Sequence, residues 1–453
     1  MGRVGRKNAF PESLVVEIWQ NRLLERTDLI TEDGEPVRII YPGRVNGDQG
    51  ADLLDAVVAT SQGLRKGDIE VHVKSSSWWA HQHHRDPAYN RVILHVVFWN
   101  DTGEATNLQN GENSPTLALH RYFKKPAVSS NNPVIPCFRA MERWYVGFLD
   151  EFLDCAGMER FFTKANAFQT DFAQLEPEQS LYRGIMGALG YAKNKSPFLE
   201  LARRLPLQVL GPVTQGEIPE GEHLARQQAL LLGTAGLLPS QHTRWQQGNI
   251  DTNGWIDKLE SLWLSFHPTE AMSSDDWNFC KVRPNDFPTR RLAAMSHLLL
   301  RHKEKGILKE IVGRIREIPA DKGHHELARM LLVTAVSHRA GNFGLLLPSR
   351  RTVPTLLGAR RAADIIINII LPFVFSWGIF TSQAELTAKS LALYRHYPRL
   401  ATNAIERHMG YQLGFNGDLV NSAQRQQGLL HIYRTLCSQG KCHCCPLGGA
   451  SGG

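Results

Sequence analysis

The run Gly67-Asp68-Ile69-Glu70-Val71-His72-Val73-Lys74 alternates apolar and ionisable residues without a break. Successive side chains of a β-strand point to opposite faces. The run is therefore predicted as a strand with Ile69, Val71 and Val73 on one face and Asp68, Glu70, His72 and Lys74 on the other. A chain that places four titratable groups on one strand face must leave that face in water or give the groups partners. A solvated outer strand satisfies the first condition. The second is more specific, because two carboxylates, an imidazole and an ammonium at two-residue spacing are the groups that metal-assisted hydrolysis requires.

A length of 453 residues exceeds one ordinary domain, so two or three compact units are expected. Hydrophobic content of 42% and charged content of 21% are those of a soluble globular chain. The basic opening, Met1 to Asn8, is followed by Glu12 and Glu17 rather than an apolar core. No signal peptide is read there, and a cytoplasmic location is expected. Ala362 to Phe380 is apolar over about one bilayer thickness, yet it carries Asp364, Asn368 and Pro372. A buried core helix is expected, and no membrane association. The positive charge is concentrated: from Lys281 to Arg361, 17 Lys and Arg stand against 6 Asp and Glu. Such a cluster is the footprint of a polyanion, so nucleic acid is the expected partner. Solvated helix faces paired elsewhere in space are the competing reading.

In chain order, Pro11 to Arg26 has helical apolar spacing and Val37 to Tyr41 is β-rich. Pro42 to Gly50 reads as loop, and Ala51 to Ala59 as a strand with Asp52 near its start. Asp86 to Asn90 makes a turn or short helix, and Val92 to Trp99 an apolar strand of the buried kind. From residue 136 the pattern is helical, from Arg139–Cys155 to Ala423–Leu436, with Gly and Pro between. The fold class expected is an N-terminal α/β domain with a mixed sheet over residues 1–135. A large all-α domain follows over 136–430, then a cysteine-rich tail over 431–453.

Two resemblances follow from these residues. Gly67 to His72, then Trp78 and Trp79 with His81, His83 and His84, then Asp86 to Val97, resemble a bacterial family of uncharacterised proteins known only as a domain of unknown function. Ala188 to Asn194, Arg283 to Pro288 and Gln426 to Leu429 belong to the same resemblance, which spans most of the chain and implies no activity. The order helix, three strands, short helix, strand is similar to the core of the PD-(D/E)XK nuclease superfamily, over about the first hundred residues. That resemblance implies a restriction-endonuclease-like fold and Mg²⁺ or Mn²⁺ held by Asp52 and Glu70, with Glu17 as a supporting carboxylate. The pattern expects lysine two residues after Glu70, where this chain has His72; Lys74 lies one pleat further, roughly 7 Å along the strand. His72 or Lys74 would then orient the attacking water, histidine only when its protonation state suits.

The other histidines are open to rival readings. An imidazole metal site is conceivable, but His83 and His84 are neighbours that diverge on regular structure. Phosphate binding near the active strand competes with it. His95 lies in an apolar strand and reads as a hydrogen-bonded core histidine.

Four of the seven cysteines lie together near the C-terminus. Cys437, Cys442 and Cys445 give x4 and x2 spacing with Gly440 letting the chain fold back, which suits a thiolate metal site. The fourth ligand is open between Cys444, His443, His431 and one of the isolated cysteines, Cys137, Cys155 or Cys280. Zinc fits this spacing. Some nucleases of the superfamily hold an iron–sulfur cluster with one distant and three clustered cysteines, so an iron–sulfur cluster fits by resemblance. Unliganded terminal cysteines are the alternative. The function expected is metal-dependent phosphodiester hydrolysis of DNA or RNA. The alternatives are a non-catalytic nucleic-acid-binding or assembly protein with a degenerate nuclease fold, and a hydrolase acting on another substrate.

Overall fold

The computed structural model describes residues 11–20, 24, 28–123, 137–142, 146–214, 216–241, 254–266, 270–280, 282–283, 286–334, 355–415 and 419–448. They form two compact units, one of Met1–Ala156, Thr402–Leu419 and Gln427–Gly453, the other of Gly157–Ala401 and Val420–Gln426. An N-terminal mixed sheet is thus followed by a largely helical region. The boundaries differ from the sequence reading, in which residues 136–430 ran on as one domain: the chain returns to the first unit at 402.

In the first unit, α1 (Glu12–Gln20) precedes β1 (Leu29–Ile30), β2 (Pro36–Tyr41), β3 (Arg44–Val45), β4 (Leu53–Thr60) and β5 (Gly63–Lys74). The short helix α2 (Ser77–Ala80) leads to β6 (Val92–Trp99), β7 (Thr106–Asn107), β8 (Asn113–Ser114) and β9 (Thr116–Ala118). The sheet order is β1-β2-β4-β5-β6-β9, with β3 on β4. Pairs from β1 to β5 are antiparallel, whereas β5–β6 and β6–β9 are parallel. Helix α1 buries Val15, Ile18 and Trp19, one apolar stripe at helical spacing, against Ile69 and Val71 of β5 and Leu94 and Val96 of β6. Leu24 already bridges Phe123, so the helix ends before Arg26.

With neighbours on both sides, β5 is a central strand, and its ionisable face is covered. Asp68, Glu70 and His72 are buried and only Lys74 is exposed, so the solvated-edge alternative fails. Gly67 is required where β5 meets β6. A Cβ there would lie 2.4 Å from Ile93 Cγ2 and 2.5 Å from the Arg91 carbonyl oxygen.

The returning segments dock on the same sheet. A register shift in β4 between Leu53 and Ala56 puts Asp55 at φ 60°. There Asp55 Oδ2 accepts from Tyr433 Oη at 2.7 Å and lies 3.4 Å from Arg44 Nε. Tyr41 donates its hydroxyl to His408 Nε2. Burial, then the Arg44 charge, pushes His408 down to about 4.

In the second unit, Ala359–Phe380 is a 22-residue apolar helix with 56% of its most apolar window buried. Ile365, Ile366, Ile370 and Phe373 lie in the unit's core. Its π-helical stretch, Ile366–Ile370, precedes Pro372, which has no N–H to give to a regular turn. Asn368 is met by Lys164, and Asp364 by Arg361. As expected, the helix is core. The basic segment is in part internal. Arg290 and Arg291 donate to the carbonyls of Thr355 and Leu356, Arg301 to those of Met330 and Leu332, and Arg291 and Arg361 share Asp286. Its Arg339, Arg350 and Arg351 lie outside the described residues.

Gly67→Ala is expected to destabilise the protein by roughly 2 kcal/mol or more by overpacking against a backbone carbonyl. Gly47→Ala, with nothing within 4 Å, is the control; urea midpoints of the two variants check the difference. His408 is held neutral in the fold, so the unfolded chain binds its proton first. Its contribution is complete above pH ~6.5 and is lost as pH falls towards about 4, on the order of 3 kcal/mol. Comparing acid unfolding of the wild type with His408→Gln isolates that loss, and identical profiles would refute it.

Candidate metal centre

Two carboxylates meet where β4 and β5 begin to pair. Asp52 lies opposite Glu70, since the next residue, Leu53, registers with Ile69. Glu70 Oε2 accepts from the Asp52 backbone N–H at 3.0 Å, and Asp52 Oδ2 accepts from the Val71 N–H at 3.1 Å. Each acid is thus fixed through one oxygen by the other's strand. Burial first, then its Glu70 neighbour, raises Asp52 to about 7, and burial raises Glu70 to about 8.

The other Glu70 oxygen faces imidazoles. Oε1 lies 3.2 Å from His83 Nε2 and 3.5 Å from His72 Nε2. His72 Nε2 is also 3.2 Å from His81 Nδ1. Among the described residues, one trio of His, Cys or acidic ligand atoms lies within 4.8 Å of one another: His72, His81 and His83. His83 Nε2 is buried and has no hydrogen bond of acceptable geometry. It is an orphaned nitrogen aimed at a carboxylate oxygen, as a shared cation would leave it.

Local sequence explains how residues 81 and 83 converge although 83 and 84 do not. Asp101 accepts from the Ser76 N–H at 2.9 Å and from the Ser75 and Ser76 hydroxyls, fixing the turn from β5 into α2. Gln82 then takes the left-handed conformation, φ 60° and ψ 28°, which ends α2 and starts the 3₁₀ turn His83–Arg85. That reversal sets two imidazoles, two residues apart, on one point. His83 is held between Tyr89, with ring centroids 3.9 Å apart, and Trp78, at 5.3 Å. His84 turns away onto Trp79.

Behind the trio lies a polar relay. His72 Nδ1 is 2.9 Å from His95 Nε2, His95 Nδ1 is 2.9 Å from Thr106 Oγ1, and Thr106 is 3.0 Å from Thr116 Oγ1. Donation can run outwards from His72 to Thr116 without conflict, which leaves the His72 Nε2 lone pair on the ligand side. Burial holds both His72 and His95 well below the ordinary imidazole range. His95 is thus a bonded core histidine, and its partner is the centre itself.

Asp52, Glu70 and His72 are therefore brought together. Lys74 is not with them: its ammonium lies 3.7 Å from Asp101 Oδ2 and is mostly exposed. Glu17 lies on the exposed side of α1. The α1 carboxylate whose charge reaches Asp52, Glu70 and His83 is Glu12, at the helix start. The resemblance places the supporting carboxylate at Glu17 instead; both acids are exposed. His81 is exposed, so the trio opens to solvent on that side.

Thr106→Val, which removes the relay's second link, is expected to weaken binding of Zn²⁺ or Co²⁺ by about 10–100-fold. Competition against a chromogenic chelator measures it, and unchanged affinity would remove the relay from the centre.

The sequence profile of one family, described as "Protein of unknown function (DUF2851)", matches residues 12–401. No curated protein and no solved structure matches the chain.

Proposed function

We propose that this chain, which belongs to the DUF2851 family, is a metal-dependent hydrolase whose centre is Glu70, His72, His81 and His83, with phosphodiesters of DNA or RNA as substrates. The observation that carries the reading is the convergence of the His72, His81 and His83 ligand atoms on one another, with Glu70 Oε1 beside His72 and His83. The donor set decides which ion fits. Imidazole nitrogens favour zinc, iron and their neighbours, whereas Mg²⁺ prefers oxygen and water. Of the two ions weighed from sequence, Mn²⁺ fits three imidazoles and a carboxylate better than Mg²⁺, and Zn²⁺ fits at least as well. A divalent metal held there supplies Lewis acidity and a bound water of lowered pKa.

The rest is the work of the chain. The exposed side of His81 leaves room for substrate, and the relay through His95 keeps His72 in one orientation. Asp52 holds the end of β4 against β5 so that Glu70 cannot swing away. Arg85, exposed and close in sequence to the centre, suits an anionic substrate, whereas Arg91 is paired with Asp55 and Asp68. What supports a phosphodiester is the element order: α1, then β2, β4 and β5 as an antiparallel meander, then a crossover to the parallel β6. This order supports the restriction-endonuclease-like arrangement that the resemblance implies, with Asp52 beside β4 and Glu70 on β5.

One observation favours a second reading, a non-catalytic nucleic-acid-binding or assembly protein. The lysine of the nuclease pattern has no substitute in the centre, since Lys74 is engaged by Asp101.

Assay of the purified chain on labelled single- and double-stranded DNA and RNA, with Mn²⁺, Zn²⁺, Co²⁺ or Mg²⁺, separates the two. Hydrolysis is expected with the transition metals, and Glu70→Gln and His83→Ala should lower it at least ~100-fold. Nucleic-acid binding without cleavage supports the second reading, and cleavage unaffected by both substitutions sinks the first.

A further inference from the structure

A second group of ligand-type side chains lies in the first unit, apart from the histidine centre. Three of its members were visible in the sequence as Cys437, Cys442 and Cys445. The structure adds Cys137. Its turn is pinned to the returning chain by the Arg139 N–H, which donates to the Gln412 carbonyl at 2.9 Å. The Gln412 side-chain Nε2 then bridges two sulfurs, 3.1 Å from Cys137 Sγ and 3.8 Å from Cys437 Sγ. Cys442 and Cys445 close the set: both interact electrostatically with Cys137 and with Cys437. Cys137, Cys437 and Cys445 are buried and Cys442 is half-buried, whereas Cys155, Cys280 and Cys444 are exposed.

Two features of the surroundings bear on what the four sulfurs do. The first is donor polarity. Besides Gln412 Nε2, the backbone N–H groups of Leu447 and Gly448 donate to the Cys445 sulfur. A neutral buried thiol has little use for three such donors, whereas N–H bonds stabilise sulfur that carries negative charge. The second is the turn between Cys437 and Cys442. Gly440 takes φ 66°, and a Cβ there would meet Val57 Cγ1 at 2.9 Å. The loop is therefore seated on β4, and Lys66 of β5 ties it further by donating to Gln439 Oε1 at 2.7 Å. The cysteines are presented by a fixed loop rather than a loose tail. Uncompensated, four thiolates in one buried place would repel one another; a cation among them removes that cost.

We propose that Cys137, Cys437, Cys442 and Cys445 form a tetrathiolate centre for an iron–sulfur cluster rather than a single zinc ion, since no three of their sulfurs lie within 4.8 Å of one another, the spacing that one ion requires. The centre fastens the chain just before the helical unit to the chain just after it. The intervening stretch is long, and clips that close long loops gain most from the entropy removed from the unfolded chain. Its role is structural: no sulfur is left over for substrate, and Gln412 closes one side.

The test uses the full chain, purified without oxygen, in a His81→Ala/His83→Ala background that disables the other candidate site. Metal analysis is expected to find iron and sulfide with broad visible absorption, and zinc without iron would overturn the cluster. Cys137→Ser should lower that content at least ~10-fold and reduce Tm, while Cys155→Ser and Cys444→Ser leave both unchanged. Because Cys137→Ser could fail to fold, thiol titration of the native chain supplies the second readout. Four thiols are expected to stay unreactive until a mercurial releases the metal in step with them. Metal content undiminished in Cys137→Ser, four freely reactive thiols, or a Cys137–Cys437 disulfide in the purified chain would each overturn the assignment.

Discussion

Burial of ionisable side chains on a central strand is the constraint from which the first unit is built. Glu70 and His72 are almost wholly removed from water, and an uncompensated carboxylate in such a place costs several kcal/mol. The surrounding chain meets that cost in small steps. Asp52 gives its backbone N–H to Glu70 and accepts one from Val71, His95 takes one side of His72, and His81 and His83 are led in by the left-handed Gln82. Each carboxylate keeps one oxygen for positioning, and Glu70 presents its other to the imidazoles. The acid is therefore oriented before any ion arrives, which is how a site avoids reorganising when it binds.

The same logic explains why the first unit is assembled from both ends of the chain. Asp55, turned out by the irregularity in β4, needs a partner and finds Tyr433; Tyr41 finds His408; Cys137 finds Gln412. Buried polar groups of the early chain are thus satisfied by the late chain, and the helical unit is carried between them as an insertion. Removing the returning segments would leave these groups orphaned rather than merely expose apolar surface.

How much of this was legible follows from the range of each signal. The alternation at 67–74 is local, and it placed the strand and its two faces. The acid near the start of β4 and the acid on β5 were also local, and their meeting needed only the assumption of adjacent strands. What the periodicity could not supply was the count of neighbours that makes β5 central, hence the burial of its ionisable face. The histidines stayed open for a different reason: regular structure does separate residues 81, 83 and 84, and the positive φ at Gln82 brings the first two together. Nothing in sequence spacing points from Cys137 to Cys445. Glu12 and Glu17 sit on one helix, and which one faces the acids depends on a docking angle that no helical period contains.

The histidine at position 72, where the nuclease pattern expects lysine, is the departure on which the functional reading turns. A lysine there would bring an ammonium among three imidazoles, with Glu70 already engaged by Asp52. The buried pocket would then favour the uncharged amine, leaving a lone pair on a flexible stem. An imidazole delivers the same lone pair on a ring that His95 holds from behind. Under the proposed function, histidine in place of lysine would make a water-orienting position a ligand position. The demand on the metal would change with it, from an oxygen-seeking ion that retains its waters to one that accepts nitrogen. Activation of water would pass from the side chain to the ion, a division of labour that requires no lysine in the centre.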